Sequence, residues 1–290
     1  MKVAGFTFIR NAIIYDYPIV EAIQSILPLC DEVVVAVGQS EDATLDLIKN
    51  IADPKIRILQ TVWNDALREG GRVLAQETDK AFRAISADAD WAFYIQGDEV
   101  LDDKNHTVIK KALQDFKDDE KVDGLLFNYR HFYGSYDYVG DARGWYRREI
   151  RVVKNKSTIY SHGDAQGFRK GKHKKLNVKL IDAYIHHYGW VKDPQAMQRK
   201  QEQFNKYWHD DDWVDQNILK ADAFDYTGIR SLQLFKGEHP KVMEKRIREK
   251  NWQFDHDLSR NQYTFKDQVS RLIEKMTGRR IWEYRNYRMV

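Results

Sequence analysis

The feature that most constrains this chain is an alternation within its first 120 or so residues. Four short apolar runs, 2–9, 32–37, 56–60 and 91–95, are separated by stretches with helical spacing. Runs such as EVVVAV at 32–37 have no polar face, which suits strands covered on both sides of a parallel sheet. Parallel neighbours need crossover connections, and the intervening segments supply them. After Pro18, the residues Ile19, Ala22, Ile23, Ile26 and Leu27 recur on one helical face, and 45–51, 70–86 and 105–116 read as further helices. The pattern predicts an α/β fold whose mostly parallel sheet is flanked by helices.

Beyond this unit the period changes. Segments 124–132, 145–153 and 178–187 read as longer strands that extend the sheet or form a second, smaller one. From Asp193 the pattern is charged and helical, over 194–209, 214–223, 240–250 and 263–276. With no Gly/Ser linker or repeat, the expectation is a core at 1–190 and a helical C-terminal extension at 191–290 packed on it.

Composition narrows the function classes. One cysteine, Cys30, excludes an internal disulfide and a cysteine zinc cage. No run reaches the roughly 18 apolar residues of a membrane span, and Arg10 and Asp16 interrupt the N-terminal apolar stretch, so the expected location is cytoplasmic. Residues 241–290 carry 13 Lys+Arg against 7 Asp+Glu, whereas the first 240 carry 34 against 37. The stretch 279–288 interleaves cations with aromatics, as in Arg279, Arg280, Trp282, Tyr284 and Arg285. It reads either as a peripheral contact with the inner face of an anionic membrane or as a solvated terminal helix. The acidic balance elsewhere argues against a nucleic-acid partner.

In an open parallel sheet, ligands bind beyond the carboxyl ends of the strands. The residues there are Arg10-Asn11, then Gln39, Ser40 and Asp42, then Trp63-Asn64-Asp65, then Gln96, Asp98 and Glu99. Neither GxGxxG nor GxxxxGK[ST] occurs, which argues against a dehydrogenase or a P-loop ATPase. Gly70-Gly71-Arg72 reads as a turn before a helix or as a loop that contacts phosphate. A carboxylate pair such as Asp98-Glu99 at a strand end can hold a divalent cation and a diphosphate together; its alternative use is to cap the helix that follows.

Three blocks in order, FTFIRN at 6–11, VVVAVGQSEDAT at 33–44 and ADWAFYIQGDEVL at 89–101, resemble family 2 glycosyltransferases of the GT-A type. Later, WYRREIRVV at 145–153 and IHHYGW at 185–190 resemble the acceptor-side strand and closing turn of lipopolysaccharide-core and capsule-type members. The resemblance covers about residues 1–190 and implies an inverting, metal-dependent transferase in surface polysaccharide synthesis. Its donor would be a nucleotide-diphosphate sugar, with a UDP-sugar the first choice, and its acceptor a glycan or a lipid-linked glycan. Donor contacts fall to Arg10, Asn11, Asp42, Arg72, Gln96 and Asp98. The cofactor is Mn²⁺ or Mg²⁺ on Asp98, with Glu99 nearby and His187 as the further ligand; His186 and His187 alternate faces on a strand, so only one can enter the site. For the base that deprotonates the acceptor, the resemblance favours Glu149, with Asp141 and Asp164 as rivals.

Two positions depart from the family pattern. Ala36 stands where an Asp usually contacts the base, and Gln96 replaces the first carboxylate of the acidic turn. These departures leave open a catalytically impaired binding protein or scaffold. The aromatic group Tyr129, His131, Phe132, Tyr133, Tyr136, Tyr138 and Trp145 reads as a sugar platform or as core, and Asp210-Asp211-Asp212 as a capping loop.

Overall fold

The computed structural model describes residues 1–67, 69–218, 220–278 and 280–290. The alternating half folds as β1 (Val3–Ile9), α1 (Ile19–Ile26), β2 (Glu32–Gly38), α2 (Thr44–Lys49), β3 (Ile56–Thr61), α3 (Arg72–Ala84) and β4 (Trp91–Tyr94). These strands lie in the order β3-β2-β1-β4, all parallel. Side chains alternate across β1 and β2, so each strand feeds two cores. Val33 and Val35 pack with Ile19, Ile23 and Ile26 of α1 on one face, while Phe6, Val34 and Ala36 meet Val73, Leu74 and Phe82 of α3 on the other. Helices on both faces explain why these strands carry no polar side.

The chain continues through β5 (Glu99–Leu101), α4 (His106–Asp115), β6 (Gly124–Tyr133), β7 (Ser135–Gly140), β8 (Arg148–Lys154), β9 (Ile159–His162), β10 (Gly167–Lys170), β11 (Lys174–Lys175) and β12 (Asn177–Trp190). β8 inserts antiparallel between β4 and β6, and β12 runs parallel to β6. Strands β9, β10 and β11 form a separate three-stranded antiparallel sheet. The long strands therefore extend the main sheet, and the small second sheet comes from residues between them.

The last hundred residues are less helical than their pattern suggests. They hold α5 (Pro194–Asn205), α6 (Asp211–Asn217), β13 (Leu232–Leu234), α7 (Glu244–Arg248), α8 (Phe265–Thr277) and β14 (Arg288–Met289). The helix expected at 214–223 sits earlier because Asp210 caps it, its carboxylate accepting from the Trp213 amide at 2.8 Å. β13 adds to β7 and β14 to β12, so this region is sewn into the main sheet.

The basic tail docks on the core. Arg280 pairs with Glu274, Glu283 with Arg147, and the buried Asn286 and Tyr287 face the body of the protein. Arg279 lies outside the described residues. Trp282 and Tyr284 stay exposed, but the tail is neither a solvated terminal helix nor an unpaired cationic stripe. Among the described residues no helix is long and apolar enough to cross a membrane.

Candidate active site

The strand order turns back on itself between β1 and β4, and a cleft opens beyond their carboxyl ends, as expected at such a switch point. Its cavity volume is about 240 Å³. Arg10 after β1, Gln96 and Asp98 after β4, His187 from β12 and Lys200 from α5 line it, with aromatic walls that include Tyr17, Trp63, Tyr146 and Trp190.

Asp98 is the centre of charge. Its Oδ2 lies 3.3 Å from Lys200 Nζ and 3.7 Å from His187 Nε2. Burial alone would raise its pKa, but the neighbouring cations, Lys200 first among them, outweigh burial and hold the carboxyl well below the usual range. Lys200 also donates to the Gly189 carbonyl at 2.9 Å. Lys192 is fully buried, donating to the Asp16 carbonyl at 2.7 Å and sitting 4.4 Å from the centre of the Tyr17 ring. Burial and the neighbouring Lys200 push its pKa well down. Gly189 permits this convergence: a Cβ there would come 2.6 Å from the His187 ring and 2.7 Å from Asp98 Oδ2.

Glu99 turns the other way. It forms a fully buried bidentate pair with Arg151, at 2.6 and 2.7 Å, and accepts from Tyr129 Oη at 2.8 Å and the Gln96 amide at 3.1 Å. Removing either partner of such a pair typically costs about 3–5 kcal/mol. Glu99 is therefore spent on anchoring the turn that presents Asp98 and is not placed to assist a metal. Gln96 lies on the cleft, but its amide group donates to Tyr94 Oη and to the Ala165 carbonyl, at 3.3 and 3.2 Å.

The other sequence candidates separate into groups. Arg10 lines the cleft, donating to Asp65 at 2.9 Å with its guanidinium 5.5 Å from the centre of the Trp63 ring. Arg10 Nε and Trp63 Nε1 are buried donors without an acceptor among the described residues. Asn11, left-handed at φ 54°, and Asp42 instead tie two loops together. Asn11 Oδ1 accepts from the Glu41 amide at 2.8 Å, and Asp42 Oδ2 from the Ile13 and Ile14 amides, each at 2.9 Å. With the remaining oxygen accepting from Thr44, the Asp42 carboxylate is fully used as a latch. Arg72 is exposed at the start of α3, away from the cleft lining, after a turn in which Gly70 and Gly71 are both left-handed.

Of the three carboxylates considered as a base, Asp164 lines the cleft. Glu149 lies in a neighbouring cavity behind Tyr146 and Gln166, gripped by Asn286 Nδ2 at 3.0 and 3.1 Å. Burial raises its pKa to about 7. Asp141 accepts from Tyr263 at 2.8 Å and pairs with Arg271 beside a third cavity. The structure thus gathers Arg10, Gln96, Asp98, Asp164 and His187, and sets Asn11, Asp42, Arg72, Glu149 and Asp141 elsewhere.

His187 and His186 do alternate faces. His186 is buried, 3.0 Å from Arg130 and 3.2 Å from Tyr188 Oη, while His187 faces the cleft. Burial lowers the pKa of both. Most of the aromatic group at 129–138 is core; of that set, Trp145 is the partly exposed member. Sequence reasoning missed Lys200, although a signal exists: Ala196, Met197 and Lys200 are buried on α5, so a lysine occupies an apolar stripe.

No family model matches the sequence, and no curated protein does. Among solved structures, S. aureus TarS matches at 14% identity over 70% of this chain and 39% of its own, with a TM-score of 0.41. TarS 1-349 in complex with UDP matches at 13% identity over 77% of this chain and 68% of its own, with a TM-score of 0.43. Glucosyl-3-phosphoglycerate synthase from Mycobacterium tuberculosis, in complex with Mn²⁺, UDP and phosphoglyceric acid, matches at 17% identity over 46% of this chain and 43% of its own, with a TM-score of 0.30. The chain thus spans 39% of this TarS chain and 43% of the synthase chain.

Proposed function

We propose that this chain is a GT-A-type glycosyltransferase that binds a nucleotide-diphosphate sugar in the cleft and transfers the sugar, with inversion, to an acceptor hydroxyl. The observation that carries the reading is Asp98, kept ionised at the switch point between β1 and β4, facing an imidazole and a lysine in an aromatic-walled cleft. The orphaned donors on Arg10 and Trp63 suit an oxygen-rich ligand such as a diphosphate or a base carbonyl. Lys200, on the cleft lining, would offset charge developing on a departing diphosphate. Asp164, on the cleft wall, takes the role of base in this reading.

The donor set fits a divalent metal of the Mn²⁺ type. Asp98 Oδ2 and His187 Nε2 offer a carboxylate and an imidazole 3.7 Å apart. Among the described residues no third His, Cys, Asp or Glu joins them, so diphosphate oxygens and water would complete the shell. When bound, such an ion neutralises the departing diphosphate. The resemblance of residues 145–153 to capsule-type members supports a glycan or lipid-linked acceptor in surface polysaccharide synthesis.

Calorimetry with UDP, GDP, CDP and dTDP, each with and without Mn²⁺, tests the reading on wild type and Asp98→Asn. One nucleotide should bind in a Mn²⁺-dependent way and lose at least about tenfold in the variant. A folded protein that binds none of the four would end the donor-site reading. A second reading, a binding protein without transfer, draws on Lys200 already occupying Asp98 and on the spent Gln96 amide. Nucleotide binding without turnover of any nucleotide sugar, even with candidate acceptors present, would favour it.

A further inference from the structure

His131 and His187 are register partners on the parallel strands β6 and β12, so their side chains stand side by side on one face. Their Nδ1 atoms are 3.2 Å apart, and His131 Nε2 lies 2.7 Å from the carbonyl oxygen of Tyr146. The His131 ring is buried between Tyr146, edge-on at 4.3 Å between centres, and Trp145, at 5.3 Å, and a half-turn of the ring would put C–H groups where its two polar contacts stand.

This geometry fixes the protons one after another. A peptide carbonyl only accepts, so His131 Nε2 carries the hydrogen. In the neutral ring Nδ1 is then a bare acceptor, and the short contact requires His187 to donate from its own Nδ1. A neutral His187 is left with a lone pair on Nε2, the atom that faces Asp98 Oδ2 at 3.7 Å. Two electron-pair donors facing each other repel unless a cation lies between or beside them; here the Lys200 ammonium lies beside them, 3.3 Å from Asp98 Oδ2, and a metal ion would share or take that place. With the opposite tautomer, His187 would point N–H at the carboxylate and close that position. We infer that His131 is a positioning residue: it relays the constraint of the Tyr146 carbonyl to His187 and keeps the Nε2 lone pair open to a cation shared with Asp98. The inference rests on the reading of Asp98 and His187 as cation ligands, and it adds a residue that touches neither cation nor substrate.

Two measurements test it and separate its failure from that of the ligand reading. Long-range proton–nitrogen correlation spectra of the metal-free, ¹⁵N-labelled wild type, with His187 assigned through His187→Gln, should show His187 protonated on Nδ1. Mn²⁺ affinity in saturating UDP, read from free Mn²⁺ by electron paramagnetic resonance, should fall about 10- to 100-fold in His131→Phe. In that variant the His187 proton should move to Nε2. His131→Gln, which keeps one donor and one acceptor, should restore both the tautomer and affinity to within about threefold of wild type. A wild-type His187 protonated on Nε2 overturns the relay without recourse to any variant that must fold. Unchanged Mn²⁺ affinity in folded His131→Phe, with His187→Gln abolishing it, overturns the inference and leaves the ligand reading standing. Mn²⁺ binding indifferent to His187→Gln overturns both.

Discussion

Tyr146 divides two cavities that treat a buried carboxylate in opposite ways. On one side, Asp98 has Lys200 at 3.3 Å and stays ionised against the cost of burial. On the other, Glu149 is nearly inaccessible and, among the described residues, has only neutral donors in direct contact, from Asn286 and the Ile150 amide, and its pKa climbs to about 7. Arg151 favours the charged form of Glu149, but it is committed to Glu99 and does not outweigh burial. Burial is common to both, so the proximity of an ammonium group decides the charge. A permanent anion is maintained where the ligand would bind, and the second acid serves as a conditional joint between core and tail.

The largest expected effect comes from making the first side resemble the second. Lys200→Met should lower nucleotide-diphosphate affinity by about 10- to 100-fold, because it removes a nearly buried cation from the cleft and lets burial raise the Asp98 pKa. Titration calorimetry against UDP reads the loss, and Lys200→Arg should recover part of it. An unchanged affinity would dissociate Lys200 from the ligand.

Glu149→Gln probes the other side. The unfolded chain ionises near 4.5 and the folded one at about 7. Between these values the folded state holds the extra proton, so Glu149 costs stability increasingly as pH rises through the window. The variant should match wild type below about pH 4.5 and exceed it by up to about 3 kcal/mol at pH 8, less whatever its altered hydrogen bonds to Asn286 and Ile150 cost. Urea denaturation at the two pH values measures the difference. Turnover in Glu149→Gln should stay within about threefold of wild type; a collapse of turnover with the fold intact would return the base role to Glu149.

A smaller effect tests burial when the group is a base. His186 has its pKa depressed by burial, then by Arg130 and His239. The unfolded chain takes up the proton near 6.5 while the folded one resists, so this contribution is present above that pH and is lost as pH falls. Relative to His186→Phe, wild type should lose about 1 kcal/mol or more between pH 7 and 5, a comparison in which the Glu149 contribution cancels.

Much of the frame was legible because periodicity reports burial. β1, β2, β3 and β4 fall within a residue or two of their apolar runs, and the order of polar residues at their ends located the cleft. Asp98 was readable as a strand-end residue on the cleft, whereas His187, which also lines it, came from the resemblance. Lys200 was not readable, because α5 reaches the cleft from a part of the chain whose charges suggested a solvated face. Glu149 lies off the cleft, which the resemblance alone did not indicate. A register shift of β8 against β6 leaves Ile150 and Val152 in opposite cores, so strict alternation along the strand does not place its two buried charged residues, Glu149 and Arg151. Asn11 and Asp42 carry the right chemistry, but backbone amides in adjacent loops consume it, a competition that appears only when two distant loops meet.

Gly189 shows how a position can be indispensable through what it lacks. The main chain there passes so close to His187 and Asp98 that even a methyl group would displace them. Every codon change that replaces a glycine adds at least that methyl, so drift has no tolerated first step at this site. In a saturation library selected for activity, residue 189 should therefore return glycine alone, as invariant as the acid beside it, although it contributes no functional group to the cleft.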